Sequence, residues 1–157
     1  MNTASDTTAS ASSPARRIDQ LLEHYAASHR NPSNELIHCI AIPCIMLSLV
    51  GLLYAASPLA ALLFLAASLV YYWRLSRVFL VSMVVLTVLM LAIVAALHAK
   101  GILLSTCLTL FVVAWIFQFI GHRIEGKKPS FFEDVQYLWV GPLFVLSLLF
   151  AKLGVRW

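Results

Sequence analysis

The chain has 157 residues, of which 61% are hydrophobic and 11% charged, with a mean hydropathy of +0.88. A water-soluble domain of this size has too little interior to hide so much apolar surface, so the composition places the chain in a membrane. The net charge of +4 comes from 11 Lys and Arg set in short polar loops, not in a basic patch interleaved with aromatics, which leaves nothing to hold a nucleic acid.

Residues 1–15, MNTASDTTASASSPA, hold almost nothing that could pack and are expected to form a disordered leader. No basic start followed by an apolar core marks them as a signal peptide. Residues 16–157 then read as a single membrane-embedded helical domain without internal repeats. Within it, Ile18, Leu21, Leu22 and Tyr25 fall at i, i+3, i+4 and i+7, one greasy stripe on a short helix that would lie flat on the membrane or against the bundle. The break HRNPSNE follows, where Asn31 can cap and Pro32 can open the next helix.

A crossing needs roughly 17 to 25 apolar residues. Five such stretches are expected, at 37–56, 58–73, 78–97, 102–120 and 135–151, giving an all-α integral membrane bundle of about five transmembrane helices preceded by the short interfacial helix. Pro43 and the pair Gly141-Pro142 lie inside the first and fifth, where each proline would remove a helix hydrogen bond and allow a kink. Eight basic residues (Arg16, Arg17, Arg30, Arg74, Arg77, Arg123, Lys127, Lys128) flank one side and three (Lys100, Lys152, Arg156) the other. The amino terminus should therefore face the cytoplasm, with the carboxyl terminus opposite after five crossings. For a bacterial chain that membrane is the inner one; for a eukaryotic chain, the endoplasmic reticulum. Cys39, Cys44 and Cys107 sit in apolar runs without paired spacing, as buried small hydrophobes.

The five histidines are what composition does not explain. His29 and His38 bracket the entry to the first span and His122 follows the exit of the fourth, so an even number of crossings brings all three to one interface. His98 ends the third span and falls on the far face, roughly 30 Å away; His24 lies one position off the apolar stripe and reads as solvated. Asn34 and His38 share a helix face, as do Gln118, His122 and Glu125, and the two polar stripes meet if the first and fourth spans pack together, an approach Gly121 would permit. Polar groups at this depth are costly unless paired or bound to something. Three neutral imidazoles on an Fe(II), Zn(II) or Cu(II) ion, with positions left open for substrate or oxygen, would satisfy them. Asn34, Gln118 and Glu125 then stand around the ion as catalytic candidates. Glu125 could be a further ligand, a carboxylate orienting an imidazole or an exposed loop charge, and the orienting role is favoured. The alternative for the whole group is a non-enzymatic scaffold or assembly protein with interfacial histidines.

Tyr25-x3-His29, the stretch HRNPSNELIHCIAIP from His29 to Pro43, and FQFIGHRIEGKKPSFFEDVQYLWVGP from Phe117 to Pro142 resemble the family of small multispanning membrane proteins related to the 2-hydroxy fatty acid dioxygenase of phytosphingosine degradation. The resemblance covers about residues 18–150. It implies an Fe(II)-dependent oxygenase of lipid alpha-oxidation, with a 2-hydroxy fatty acid and molecular oxygen as substrates, membrane lipids around it, and His29, His38 and His122 as iron ligands.

Overall fold

The computed structural model describes residues 16–27, 29–126 and 137–157. The expected leader and the loop carrying Lys127, Lys128, Glu133 and Asp134 lie outside the described residues. Among the described residues all regular structure is helical: α1 Arg17–Ala26, α2 Pro32–Ala56, α3 Pro58–Leu75, α4 Arg77–Ala99, α5 Leu103–Glu125 and α6 Val140–Leu153. The helices α2 to α5 are each long and apolar enough to cross a bilayer. Large side chains such as Leu59, Leu63, Val81, Val85 and Val88 stand on their outer faces, more than half exposed, as a lipid-facing surface requires.

Single residues make the turns. Ser57 closes α2 and opens α3, its hydroxyl oxygen accepting the Ala60 N–H, with Pro58 at the first helical position. Ser76 likewise joins α3 to α4 as a single residue in extended backbone, with φ −164°, though its side chain forms no capping hydrogen bond. Such short links force antiparallel neighbours, so the start of α2, the α3–α4 link and the end of α5 share one end of the bundle. The start of α2 is as expected: Asn31 Oδ1 accepts the Ser33 N–H at 2.9 Å and Pro32 occupies the first turn. The helix then runs on through Pro43, whose ring sits on an exposed face.

The most extensive helix pair is α2 with α5. Ala41 and Ile45 meet Ala114 and Trp115 there in a core of small and large residues. The apolar stripe of α1 lies against the bundle, the second of the two expected placements: Ile18, Leu22 and Tyr25 are buried, and α1 packs on α6. Cys107 is buried, whereas Cys39 and Cys44 are only half-buried; all three are free thiols.

The expected fifth span is reshaped. At 14 residues, α6 is roughly 21 Å long, short of a core about 30 Å thick. It begins beside Ile42 and ends with Phe150 and Trp157 packed on Phe79, third residue of α4, at ring distances of 5.3 and 5.7 Å. Arg16 donates to the Trp157 carbonyl, closing the carboxyl end onto the segment before α1. The segment therefore ends at the same end of the bundle as the start of α2, and Lys152 and Arg156 join Arg16, Arg17, Arg30, Arg74, Arg77 and Arg123 there, leaving Lys100 alone opposite among the described residues. The pair Gly141-Pro142 falls in the first turn of α6 instead of mid-span, where a proline N–H is not needed. Just ahead of it, Trp139 donates its indole N–H to Ser68 Oγ at 2.9 Å, tying the segment to the middle of α3.

Candidate metal centre

Three of the five histidines converge. His38 projects from the second turn of α2, His122 from the last turn of α5, and His29 from the link between α1 and α2. All are buried, and each offers a ring nitrogen within 4.8 Å of the others. The rings are crossed instead of stacked: His29 and His38 centroids lie 4.3 Å apart at 73°, His38 and His122 5.1 Å apart at 89°, His29 and His122 5.9 Å apart at 62°. Nitrogens bound to one ion at about 2.0–2.1 Å lie no more than about 4.2 Å apart, so a spread of up to 4.8 Å would have to contract for all three rings to hold one ion.

The backbone sets the tautomers. His29 Nδ1 lies 2.8 Å from the Tyr25 carbonyl and His38 Nδ1 2.9 Å from the Asn34 carbonyl. A carbonyl only accepts, so both Nδ1 atoms carry the proton and both Nε2 atoms carry a lone pair. A ring held this way is a common form of neutral histidine ligand. The Tyr25 ring also stacks on His29, 4.2 Å away and 9° from parallel, and Phe144 closes on the same imidazole at 5.7 Å.

Gly121 determines how near the two long helices come. A Cβ at this position would fall on Asn34 Oδ1 and also touch His38 Cε1 and Ile37 Cγ2 at 3.4 Å. Only hydrogen fits, so α5 presses its backbone against the Asn34–His38 face.

Glu125 does not belong to the histidine group; it clamps the segment that carries it. Its Oε1 accepts the Arg30 N–H at 2.9 Å, and its Oε2 accepts the Asn31 N–H at 2.9 Å and the Asn34 side-chain amide at 3.0 Å. Three N–H donors on one carboxylate suit its ionised form. The carboxylate thus acts on the backbone after His29 and on the helix turn before His38. Sequence spacing brought Glu125 to this end of α5 but could not show that its partners are mostly main-chain amides.

Gln118 and Asn34 are both buried beside the histidines, at 4% and 0% exposure. His98 lies at the other end of the bundle, its ring 5.6 Å from Tyr54 near the end of α2. Sixteen helical residues separate Tyr54 from His38, roughly 24 Å. His24 is exposed, 5.9 Å from the Tyr137 ring. Tyr25 is the residue whose weight spacing understated: its place four before His29 is the signal, and a stacked ring plus a bonded carbonyl is the result.

A helical membrane bundle enclosing three converging imidazoles defines the class: an integral membrane protein with a candidate metal site near one end of its spans. The chain belongs to the Mpo1-like family, described as 2-hydroxy-palmitic acid dioxygenase Mpo1-like, which matches residues 15–153. It is 34% identical over 140 residues to the 2-hydroxy-palmitic acid dioxygenase MPO1 of Saccharomyces cerevisiae, covering 85% of this chain and 79% of the yeast protein. No solved structure matches it.

Proposed function

We propose that the protein is an Fe(II)-dependent dioxygenase that shortens 2-hydroxy fatty acids by one carbon. The observation that carries this reading is the buried trio His29, His38 and His122, with ring nitrogens within 4.8 Å of one another, in a relative of a 2-hydroxy-palmitic acid dioxygenase. The reaction balances with one oxygen molecule: R–CH(OH)–COOH + O2 gives R–COOH + CO2 + H2O. The bond between C1 and C2 breaks, C2 is oxidised from alcohol to carboxylic acid, C1 leaves as carbon dioxide, and dioxygen takes up four electrons.

When bound, the ion supplies redox chemistry with dioxygen, which zinc cannot offer. The chain does the rest. His29, His38 and His122 are neutral donors, so they leave the positive charge of a divalent ion uncompensated, which favours an anionic carboxylate at the open positions. Asn34 and Glu125 are positioning residues: the Asn34 carbonyl fixes His38, and Glu125 fixes the backbone that follows His29. Arg30 and Arg123, exposed at the same end, draw a carboxylate to the interface, while the alkyl chain stays among apolar side chains. The excess of basic residues at this end supports a site at the cytoplasmic leaflet.

The test is to purify the full chain anaerobically in detergent, measure its iron, and supply 2-hydroxypalmitic acid with and without oxygen. We expect about one iron per chain and a fifteen-carbon acid plus carbon dioxide only when oxygen is admitted. Iron at background, or no product from iron-loaded protein, removes the proposal.

Glu125→Ala probes the clamp. It leaves three N–H groups without their acceptor, which costs about 1–3 kcal/mol, and loosens two ligands at once, so iron affinity falls roughly 10- to 100-fold. Thermal unfolding and metal titration read the two effects separately. Unchanged iron affinity would show that the clamp serves stability alone.

A further inference from the structure

A buried amide oxygen nearly always has a donor. Gln118 is 4% exposed, yet its Oε1 has no hydrogen-bond partner among the described residues. The side chain lines a small cavity of about 30 Å3, with Tyr25, Ile42, Ile45, Trp115 and Gly141 among the other walls. That volume takes one water-sized group.

Helical arithmetic locates the cavity. Gln118 stands four before His122 on α5, and Ile42 stands four after His38 on α2; residues four apart lie on one helix face. Tyr25 stands four before His29 and stacks on it. Each histidine therefore has a cavity wall one turn or one stacking distance away, so the cavity lies about one helical turn deeper in the bundle than the trio. Tyr25, Tyr137 and Trp115 bring donor-bearing rings to the walls, whereas Gln118 Oε1 is the side-chain carbonyl acceptor there, the group suited to receive a proton from a substrate head group.

We propose that Gln118 reads the 2-hydroxyl of the substrate, its Oε1 accepting the hydroxyl hydrogen; this rests on the function proposed above. An ionised carboxylate offers acceptors alone, so the hydroxyl is the one donor near the head of a 2-hydroxy fatty acid. It is also the group that fits a water-sized space. A plain fatty acid has no such hydrogen and leaves Oε1 buried against hydrocarbon, a mismatch that polar sites reject strongly. Gln118 is thus a specificity-determining residue, separate from the groups that hold the histidines.

The experiment compares binding of 2-hydroxypalmitic acid and palmitic acid to iron-loaded protein without oxygen, in the wild type and in Gln118→Met, which keeps volume but removes the amide. We expect the wild type to prefer the hydroxy acid and the variant to lose roughly 10- to 100-fold of that preference. Palmitic acid affinity and iron content should stay unchanged. An undiminished preference in Gln118→Met overturns the inference. Should that variant not fold, Gln118→Asn decides: it withdraws the acceptor by one methylene, and a preference equal to that of the wild type overturns the inference in the same way. Failure of the wild type to hold iron or turn over the hydroxy acid is a different result, which strikes the proposed function itself.

Discussion

His38→Ala is expected to reduce iron from about one per chain to background and turnover by more than about 100-fold. The scale follows because losing groups that merely hold a metal ligand already costs 10- to 100-fold, and His38 is itself one of three ring donors, fully buried between α2 and α5. Stability alone cannot explain such a loss. Alanine leaves a cavity but also removes a buried polar group, and the helices on either side remain joined along Ala41, Ile45, Ala114 and Trp115. Elemental analysis, turnover and helical circular dichroism on the same preparation separate the outcomes. His98→Ala, changed at the far end beside Tyr54, should keep both iron and activity. Equal loss in the two variants would mean that any imidazole removal damages the bundle, and the trio would have no special standing.

Gly121→Ala carries the second large effect. The added methyl falls on Asn34 Oδ1, and the overlap is relieved only if α5 backs away or Asn34 turns, with loss of its bond to Glu125. Overpacking of this kind costs about 1–3 kcal/mol, and here the displaced atoms belong to the turn that carries His38, so iron affinity should fall with stability. The matched control is Gly51→Ala, whose methyl would fall on Cys107 Sγ between the same two helices at the opposite end. Thermal unfolding in detergent should drop in both variants, whereas metal titration should weaken in Gly121→Ala alone. Weakening in both would mean that the site responds to the overall fit of the helix pair and not to the approach at Gly121.

Much of this was legible in the sequence because its signals are local. Hydrophobic runs of bilayer length gave the four long helices, the Asn31-Pro32 pair marked a helix start, and parity sorted His98 away from the other histidines. The spacings Asn34/His38 and Gln118/His122/Glu125 anticipated two facing stripes, and Gly121 was the residue that could let them meet. What escaped depends on distant packing. The stretch 135–151 is apolar enough for a crossing, but the course of α6 is set by α1, Phe79 and Ser68, none of which a hydropathy window over that stretch weighs. The stripe of α1 gave no indication of which surface it covers. Glu125 could be placed beside the site, but main-chain amides 94 and 95 residues earlier carry no residue-type signature.

The distribution of the three imidazoles along the chain bears on how the protein is made. His29 and His38 leave the ribosome early, while His122 follows only after α3, α4 and most of α5 have been synthesised. Two rings grip a cation far less firmly than three, so under the proposed function a nascent chain halted before α5 would lack a competent nest for a metal ion. Loading would then be deferred until the helices have been inserted and paired, sparing the cell a half-built centre.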